Sequence, residues 1–283
     1  MKILVTGAFG NIGKLLINEL IERNYSVKCF VLPSVKNKKI VQKIKETKGC
    51  EIFYGDTRKK EDIKLAIKDC KVVIHLAFTS PKICQKNPSF AYKVNIEGTN
   101  NLIEVIKKNS KNIKIIFASS ISAYLCEIYK KSKKIKLLRY IEYAKHKLEC
   151  EKIIESSPLS WCILRIGAIL PIRFPNLNNL FDISYDTRFE FIHMKDTITA
   201  LINAIKTERA VGKVLLIGGG RKFCMKYGNF VNDLFRIANR EFPKKSDFTP
   251  RSYLTSCFST AESQKILKYQ KHSYKDFLEE MRR

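Results

Sequence analysis

The 283-residue sequence lacks the features of several large classes of protein. It has no stretch of roughly 18 uncharged apolar residues, the length that a membrane-spanning helix needs. Its N-terminus does not follow the plan of a signal peptide, because Met1 and Lys2 lead directly into a short apolar run and a glycine turn. We therefore expect neither a membrane-spanning nor a secreted protein. Hydrophobic residues make up 45% of the chain, which argues against general disorder.

Cysteine and histidine are present, but not in the spacing of a disulfide framework or a metal site. None of the nine cysteines forms a C-x-x-C pair, and they are scattered through predicted strands and helices. This odd number of scattered cysteines indicates reduced, mostly buried thiols in a cytoplasmic protein. The four histidines show no ligand spacing with cysteine or carboxylate, so we predict no metal.

Acidic residues are scarce: 27 of them face 53 basic residues, which gives a net charge of +26. A basic chain can bind nucleic acid or an anionic membrane surface. Here the lysines are spread along the whole chain and no basic motif is interleaved with aromatics. Solvated lysines are the simpler interpretation, and we predict neither nucleic acid nor membrane as a partner. One segment, residues 130–139, stands out and is called the basic run; its cations are Lys130, Lys131, Lys133, Lys134, Lys136 and Arg139.

Strand and helix patterns alternate along the first part of the chain. The strands, such as those at 2–6 and 26–32, are apolar without alternation, which is typical of a parallel sheet covered on both faces. Longer helices are predicted at 89–109 and 138–156. The fold class is therefore α/β, with a Rossmann-type doubly wound parallel sheet. We expect residues 1–165 to form the dinucleotide-binding domain, with 188–220 returning to it, and 166–187 and 221–283 to form a small, mostly helical substrate region.

A glycine-rich turn follows the first predicted strand and opens a helix. Residues 6–13 read TGAFGNIG, with the spacing G-x-x-G-x-x-G. Glycines allow the backbone to approach a pyrophosphate, and a helix N-terminus offers unpaired N–H groups. A glycine turn without a ligand is the alternative interpretation.

The residues after the second strand bear on the choice of cofactor. No acid occurs from residue 23 to 45, where an Asp or Glu would bind the ribose 2′-hydroxyl of NAD. Lys36, Lys38 and Lys39 follow the strand instead, which favours NADP over NAD. The alternative is that these lysines are ordinary surface residues.

A tyrosine and a lysine are candidates for acid–base chemistry. Tyr143 and Lys147 are four residues apart and share one face of a predicted helix. A nearby ammonium lowers the pKa of a phenol and so prepares it for proton transfer. The pair Tyr129 and Lys133 has the same spacing, but it lies in or beside the basic run. Ser119 and Ser120 end the fifth strand, where a hydroxyl can hold a substrate oxygen.

Several motifs together resemble the extended short-chain dehydrogenase/reductases, in the group of NAD-dependent epimerase/dehydratases. In chain order these are 6–13 (TGAFGNIG), 55–56 (GD), 75–77 (HLA), 94–99 (VNIEGT), 117–124 (FASSISAY), 143–147 (YAKHK), 164–165 (LR) and 191–196 (FIHMKD). Each motif is weak alone, but their order and spacing are specific and cover nearly the whole chain. The resemblance implies an NAD(P)-dependent enzyme.

The resemblance also implies roles for particular residues. Ser120, Tyr143 and Lys147 would be catalytic, with Ser120 four residues before Tyr124. The cofactor would be bound by Gly7, Phe9, Gly10, Asn11, Ile12, Asp56, Thr57, Leu76, Ala77, Asn95, Tyr143 and Lys147. The predicted helices at 89–109 and 138–156 form a dimer interface in many relatives, which makes a homodimer one expectation and a monomer the alternative.

Three departures from the family pattern leave the substrate open. Leu125 replaces the usual glycine after Tyr124, and the basic run replaces an acidic, proline-containing loop. The region past 220 is short for a nucleotide-sugar enzyme and shows no clear arginine pair for a diphosphate. The leading hypothesis is an epimerase, dehydratase or reductase acting on a hydroxyl or carbonyl carbon of a nucleotide-sugar or similar anionic small molecule. The alternatives are a non-catalytic NAD(P)-binding sensor or scaffold and a nucleic-acid binder.

Overall fold

The structure is a computed structural model. It describes residues 1–34, 37, 50–109, 112–132, 134, 140–250 and 257–283. Lys36, Lys38 and Lys39, the lysines after the second predicted strand, lie outside these residues. Three cations of the basic run, Lys133, Lys136 and Arg139, also lie outside them.

Seven parallel strands form the central sheet, as the apolar strand pattern predicts. Their order across the sheet is β3-β2-β1-β4-β5-β6-β9, and each neighbouring pair is parallel. The strands are β1 (Lys2–Thr6), β2 (Ser26–Val31), β3 (Cys50–Tyr54), β4 (Cys70–His75), β5 (Lys114–Ser120), β6 (Trp161–Ile166) and β9 (Lys213–Ile217). The order reverses between β1 and β4, and ligands of such sheets bind beyond the carboxyl ends of the strands at that point.

Helices cover both faces of this sheet, which confirms the predicted fold class. The helices in the first part of the chain are α1 (Asn11–Glu22), α2 (Lys60–Ala66), α3 (Pro81–Lys86), α4 (Pro88–Tyr92), α5 (Gly98–Asn109), α6 (Ile121–Tyr129) and α7 (Ile141–Glu155). One core cluster contains Leu16 and Leu20 of α1, and the cluster on the opposite face contains Leu102 of α5 and Ile154 of α7. Burial of these apolar side chains on both faces stabilises the layered arrangement.

The helix predicted at 89–109 is interrupted in the structure. Between α4 and α5 the residues Lys93–Glu97 form one turn of π-helix. The Thr99 hydroxyl donates to the carbonyl oxygen of Asn95 at 2.5 Å just beyond it. Apolar periodicity does not distinguish a π-turn from an α-helix, so this interruption could not be predicted from the sequence.

The last third of the described chain combines a second, small sheet with further helices. The small sheet has the order β10-β8-β7, with β7 (Ala168–Ile169), β8 (Arg188–Ile192) and β10 (Cys224–Lys226). The helices here are α8 (Met194–Lys206), α9 (Tyr227–Ile237), α10 (Ala261–Leu267) and α11 (Tyr274–Arg282). Strand β9 lies in the central sheet, whereas β8 belongs to the small sheet. The division of the chain into two domains stays a prediction.

The expectation that all cysteines are reduced is wrong for one pair. Cys224 at the start of β10 forms a disulfide with Cys257, 33 residues later. The fold brings these residues together, whereas their separation in sequence gives no indication of pairing. The other seven cysteines are free, and all of them except Cys50 are buried. In the described part of the chain, no helix has the length and apolar character that crossing a bilayer requires.

Candidate active site

In the turn after β1, a side chain would clash with the backbone at two of the glycines but not at the third. Gly7 has a φ of +65°, and a Cβ there would lie 2.7 Å from the Ala77 backbone nitrogen. A Cβ on Gly13 would lie 2.3 Å from the Ala8 carbonyl oxygen, so helix α1 packs directly on the turn. Gly10 has an ordinary φ of −69° and its Cβ would meet only the Gly7 oxygen, at 3.2 Å. Gly7 and Gly13 are therefore needed by the fold itself.

Two cavities lie at the carboxyl ends of the central strands, with volumes of about 390 and 360 Å³. Both are lined by Gly7, Gly10, Leu76, Phe78 and Thr79, so they are two parts of one groove. The predicted site residues Phe9, Asp56, Thr57 and Ala77 line the larger part, and Asn11, Ile12, Ser120, Tyr143 and Lys147 line the smaller part. Such a groove has the size of typical small-molecule sites.

The larger cavity ends at Asp56. The Arg58 guanidinium donates to the Asp56 carboxylate from Nε at 2.9 Å, and its carbon lies 5.6 Å from the centre of the Phe90 ring. Burial opposes ionisation of Asp56, but the hydrogen bonds and charge of Arg58 outweigh it and lower the carboxyl pKa. Neither Arg58 nor Phe90 was predicted from the sequence as a site residue. At the end of β2 the same cavity is lined by Leu32, which carries no carboxylate.

The smaller cavity contains the candidate catalytic group. Ser120 ends β5, and its side chain lines this cavity together with Tyr143 of α7. The Ser120 hydroxyl oxygen accepts from the Ser122 backbone N–H at 3.2 Å and so caps helix α6. Burial raises the pKa of Tyr143 well above that of a free phenol. Tyr143 therefore holds its proton at neutral pH in the absence of a neighbouring positive charge.

Lys147 lies one helical turn after Tyr143, at the back of the smaller cavity. Its ammonium donates to the Ala118 carbonyl oxygen at 2.6 Å. It also lies 3.6 Å from the centre of the Phe78 ring. This cation–π contact was not predicted from the sequence. Burial lowers the pKa of Lys147 to about 8, so the amine is mostly protonated at neutral pH.

Asn95, predicted to bind the cofactor, is completely buried and lines neither cavity. Its amide oxygen accepts from the Thr79 backbone N–H at 2.8 Å, and its amide nitrogen lies 3.2 Å from His146 Nδ1. Asn95 therefore holds Thr79, which lines both parts of the groove. A direct contact between Asn95 and a cofactor stays a prediction.

His75 joins the glycine turn to the region of Lys147. Thr6 Oγ1 accepts from the backbone N–H groups of Leu76 and Ala77, both at 3.2 Å, and lies 2.7 Å from His75 Nδ1. We infer that Thr6 donates its hydroxyl proton to Nδ1, which leaves Nε2–H to donate to Thr99 Oγ1 at 3.1 Å. Burial, and secondarily the charge of Lys147, lower the pKa of His75 to about 3.

The tyrosine of the competing pair does not line this groove. Tyr129 ends helix α6 and lines neither cavity, and Lys133 lies outside the described residues. Ser119 lines the smaller cavity but turns its hydroxyl toward Glu151, so Ser120 is the candidate serine beside Tyr143.

Comparison with known proteins agrees with this arrangement. A model of the 3-beta hydroxysteroid dehydrogenase/isomerase family matches residues 4–157, which is more than half of the chain. The chain belongs to this family. The 3-beta hydroxysteroid dehydrogenase/isomerases are extended short-chain dehydrogenase/reductases, so the resemblance read from the motifs is confirmed. The matched residues include the glycine turn, β4, β5 and helix α7 with Tyr143 and Lys147.

Individual relatives cover only part of the protein. A putative UDP-glucose 4-epimerase of Methanocaldococcus jannaschii is 36% identical over 120 residues, which are 42% of this chain and 37% of that protein. The human sterol-4-alpha-carboxylate 3-dehydrogenase (decarboxylating) is 30% identical over 118 residues, 42% of this chain and 28% of the relative. The chain thus aligns with roughly a third of the length of these relatives.

A solved structure matches the whole fold. The UDP-glucuronic acid 4-epimerase of Bacillus cereus, in complex with UDP-glucuronic acid and NAD, superposes with a TM-score of 0.78. It is 22% identical, and the alignment covers 100% of this chain and 98% of that one. This likeness shows that the complete chain, including the region after residue 157, has the fold of that enzyme.

Proposed function

We propose that the protein is an NAD(P)-dependent epimerase, dehydratase or reductase that acts on a hydroxyl or carbonyl carbon through Ser120, Tyr143 and Lys147. The observation that carries the proposal is the meeting of these three residues in one cavity that continues into the glycine-turn groove. A hydroxyl, a phenol and an ammonium from β5 and α7 are the groups that proton exchange at a carbonyl requires.

The groove fits a dinucleotide. The first N–H groups of α1 have no side-chain cap at Gly10, and a Cβ there would project into the groove where a pyrophosphate would lie. Gly7, Phe9, Gly10, Asn11 and Ile12 would hold the phosphates, with Asp56, Thr57, Leu76 and Ala77 toward the adenosine end. When bound, the nicotinamide supplies or accepts hydride.

The residues of this chain provide the proton chemistry. In the reductive direction Tyr143 passes its phenolic proton to the substrate oxygen, and in the oxidative direction it takes that proton back. Ser120, which lines the same cavity, holds the same substrate oxygen. Lys147 favours the phenolate by its charge and offers its ammonium to the cofactor ribose. The buried Phe117 ring and the half-buried Phe78 ring pack against Lys147 and limit the access of water from this side.

We favour NADP over NAD as the cofactor. Leu32 stands at the end of β2, in the part of the groove where a carboxylate would select the 2′-hydroxyl. The nearby Lys36, Lys38 and Lys39 lie outside the described residues but are basic. NADPH should therefore bind at least as tightly as NADH in a fluorescence titration. A clear preference for NADH that Lys36→Glu leaves unchanged would contradict the choice.

The substrate we propose is a nucleotide-sugar or a similar anionic small molecule. Support comes from relatives named as epimerases and from the basic residues Lys130, Lys131 and Lys134, which follow helix α6 after Ser120. We place the enzyme in the cytoplasm because seven of its cysteines are free thiols. Helices α5 and α7 would form the interface if the protein is a homodimer.

A direct assay tests the proposal. Purified protein with NAD(P) is incubated with a panel of nucleoside diphosphate sugars, and products are followed by proton NMR for inversion or loss of water. Ketone reduction with NADPH is followed at 340 nm. Conversion that disappears in Lys147→Met supports the enzyme. Tight cofactor binding without conversion of any compound would favour the alternative, a sensor or scaffold that binds NAD(P).

A further inference from the structure

Helix α7 carries a third polar residue on the face of Tyr143 and Lys147. Glu151 follows Lys147 by four residues, so the three side chains lie one above another along the helix. Its exposed fraction is 1%, although charged residues are rarely buried without a partner. A carboxylate in this place requires a physical explanation, because burial of a charge costs several kcal/mol unless hydrogen bonds compensate.

The Glu151 carboxylate fastens α7 to two central strands at once. Arg165 of β6 donates to it from Nε at 3.1 Å and from Nη2 at 2.6 Å. Ser119 of β5 donates its hydroxyl to the same carboxylate. Ser119 and Arg165 are paired across β5 and β6, so Glu151 bridges one rung of the sheet. The next residue along β5 is Ser120, which lines the smaller cavity together with Tyr143.

We propose that Glu151 is a positioning residue that acts on both sides of the candidate active site, on Lys147 through its negative charge and on Ser120 through Ser119. The catalytic part of this inference rests on the proposed function, in which Lys147 and Ser120 are catalytic. It goes beyond that function because Glu151 does not line the groove and would touch neither substrate nor cofactor.

The pKa of Lys147 depends on all the titratable groups that lie around its ammonium. The titratable groups around it are Tyr143, Cys150 and Glu151 on its own helix, Cys84 on α3 and His75 on β4. Burial raises the pKa of Cys150 to about 12, and His75 is neutral because its pKa is about 3. Glu151 is therefore the anion in this set that opposes the effect of burial on Lys147.

The first experiment measures the protonation of Lys147 directly. Protein labelled with ¹³C at lysine Cε is titrated by NMR, and the Lys147 resonance is assigned by its loss in Lys147→Met. In Glu151→Gln the Lys147 pKa should fall by at least about 0.5 unit, since a nearby carboxylate favours the ammonium. Glu149→Gln is the matched control, because it removes the same charge from an exposed position of the same helix. It should leave the Lys147 titration within about 0.2 unit of wild type.

Two further variants separate charge from packing. Arg165→Met leaves Glu151 without its compensating cation. Burial then favours the neutral carboxyl, so the Lys147 pKa should fall as it does in Glu151→Gln. Ser119→Ala changes no charge and should leave the Lys147 pKa unaltered, yet lower kcat about 10-fold by loosening the end of β5. General loosening of the core would shift Lys147 in the same direction in all three variants. Should Arg165→Met fail to fold, Arg165→Lys with the same titration serves as the control, with no shift expected.

Turnover connects the result to catalysis. In Glu151→Gln the alkaline limb of the kcat profile should move to lower pH, because Lys147 loses its proton earlier, while KM changes less than about twofold. An unchanged Lys147 titration in both Glu151→Gln and Arg165→Met would overturn the proposal, whether or not the protein has activity. A wild-type protein that shows these shifts but turns over nothing would contradict the proposed function alone.

Discussion

At the scale of single residues, the surroundings of Tyr143 determine what it does with its proton. The phenol is half-buried in the smaller cavity beside Ser120, and the Lys147 ammonium lies 5.8 Å from the centre of its ring. Tyr143→Phe removes the proton and retains the ring that packs edge-on against Phe78 at 5.5 Å. We expect kcat to fall about 10²–10⁴-fold with cofactor affinity unchanged. Steady-state kinetics and a cofactor titration measure both quantities.

Tyr129→Phe is the matched control for that change. Tyr129 is the other tyrosine with a lysine four residues later, and it lines neither part of the groove. Its substitution should leave kcat within about twofold of wild type. An essential Tyr129 combined with a dispensable Tyr143 would show that the pair was assigned wrongly.

His75 gives a pH dependence of stability whose sign can be worked out. In the unfolded chain histidine takes up a proton below about pH 6.5, whereas folded His75 does so only near pH 3. Below pH 6.5 the unfolded state therefore binds more protons, so stability falls as the pH falls. Between pH 6.5 and pH 5 His75 should account for a loss of about 2 kcal/mol.

Urea denaturation of wild type and His75→Gln at the two pH values tests this. The variant lacks the titrating group, so its free energy of unfolding should depend less on pH by about that amount. Equal pH dependence in the two proteins would mean that the pKa of His75 is the same in the folded and the unfolded chain.

Single residues also show what a sequence can and cannot predict. Ser120, Tyr143 and Lys147 were predicted because short motifs fix their spacing, and the structure brings all three into one cavity. Arg58 and Glu151 were missed because the contacts that reveal them, with the Phe90 ring and with Arg165 of β6, form only in the folded chain. A charged side chain becomes informative only when its burial is known, and the sequence does not give burial.

At the scale of elements, the turn between β1 and α1 contains two glycines that the fold requires, Gly7 and Gly13, and one, Gly10, that we expect cofactor binding to require. Gly10→Val should abolish dinucleotide binding, because the side chain would fill the place of the pyrophosphate, and should cost about 1 kcal/mol or less. Gly13→Val should instead unfold or severely destabilise the protein, since a Cβ there meets the Ala8 oxygen. Calorimetry and thermal denaturation distinguish the two effects. Undiminished binding by Gly10→Val would exclude the turn as the cofactor site.

The disulfide between β10 and the segment after residue 256 is a second prediction at this scale. Thiol titration of the denatured protein should find seven thiols without reductant and nine with it. Because the bond closes a loop of 33 residues, Cys224→Ser should lower the free energy of unfolding by about 3–4 kcal/mol under oxidising conditions. Reductant should have the same effect on wild type and none on the variant. Nine thiols before reduction would restore the original expectation of a fully reduced chain.

Prediction succeeded for elements where one physical pattern dominates. The strands of the central sheet are buried on both faces, and this produces the unalternating apolar runs that the sequence shows. Helix α7 was predicted to within a few residues at each end. The π-turn at Lys93–Glu97 and the strand pairing of β8 with β10 depend on tertiary contacts, and no local pattern encodes them.

At the scale of the whole molecule, the net charge of +26 acts on every approaching anion. The basic run lies between Ser120 and Tyr143 in sequence, and we expect it to border the candidate active site. Helix α6 begins directly after Ser120 and ends at Tyr129, and Lys130, Lys131 and Lys134 follow it. The remaining cations of the basic run, Lys133, Lys136 and Arg139, lie outside the described residues. If the net charge of the whole protein attracts an anionic substrate, the effect of a substitution should not depend on its position. If the basic run attracts it, substitutions in that run should have the larger effect.

The salt dependence of the Michaelis constant separates the two contributions. Because salt screens exposed charges over about 8–10 Å near physiological ionic strength, KM for an anionic substrate should rise about threefold or more between 50 and 300 mM salt. Turnover at saturation should change little. Replacing Lys131, Lys133 and Lys134 by Ser should raise KM at low salt and flatten its salt dependence. The matched variant, Lys64, Lys68 and Lys71 to Ser, removes the same charge from exposed positions around the start of β4, the strand end opposite the groove. Equal effects of the two variants would assign the salt dependence to the net charge, and a salt-independent KM in all three proteins would leave the basic run without a role in substrate capture.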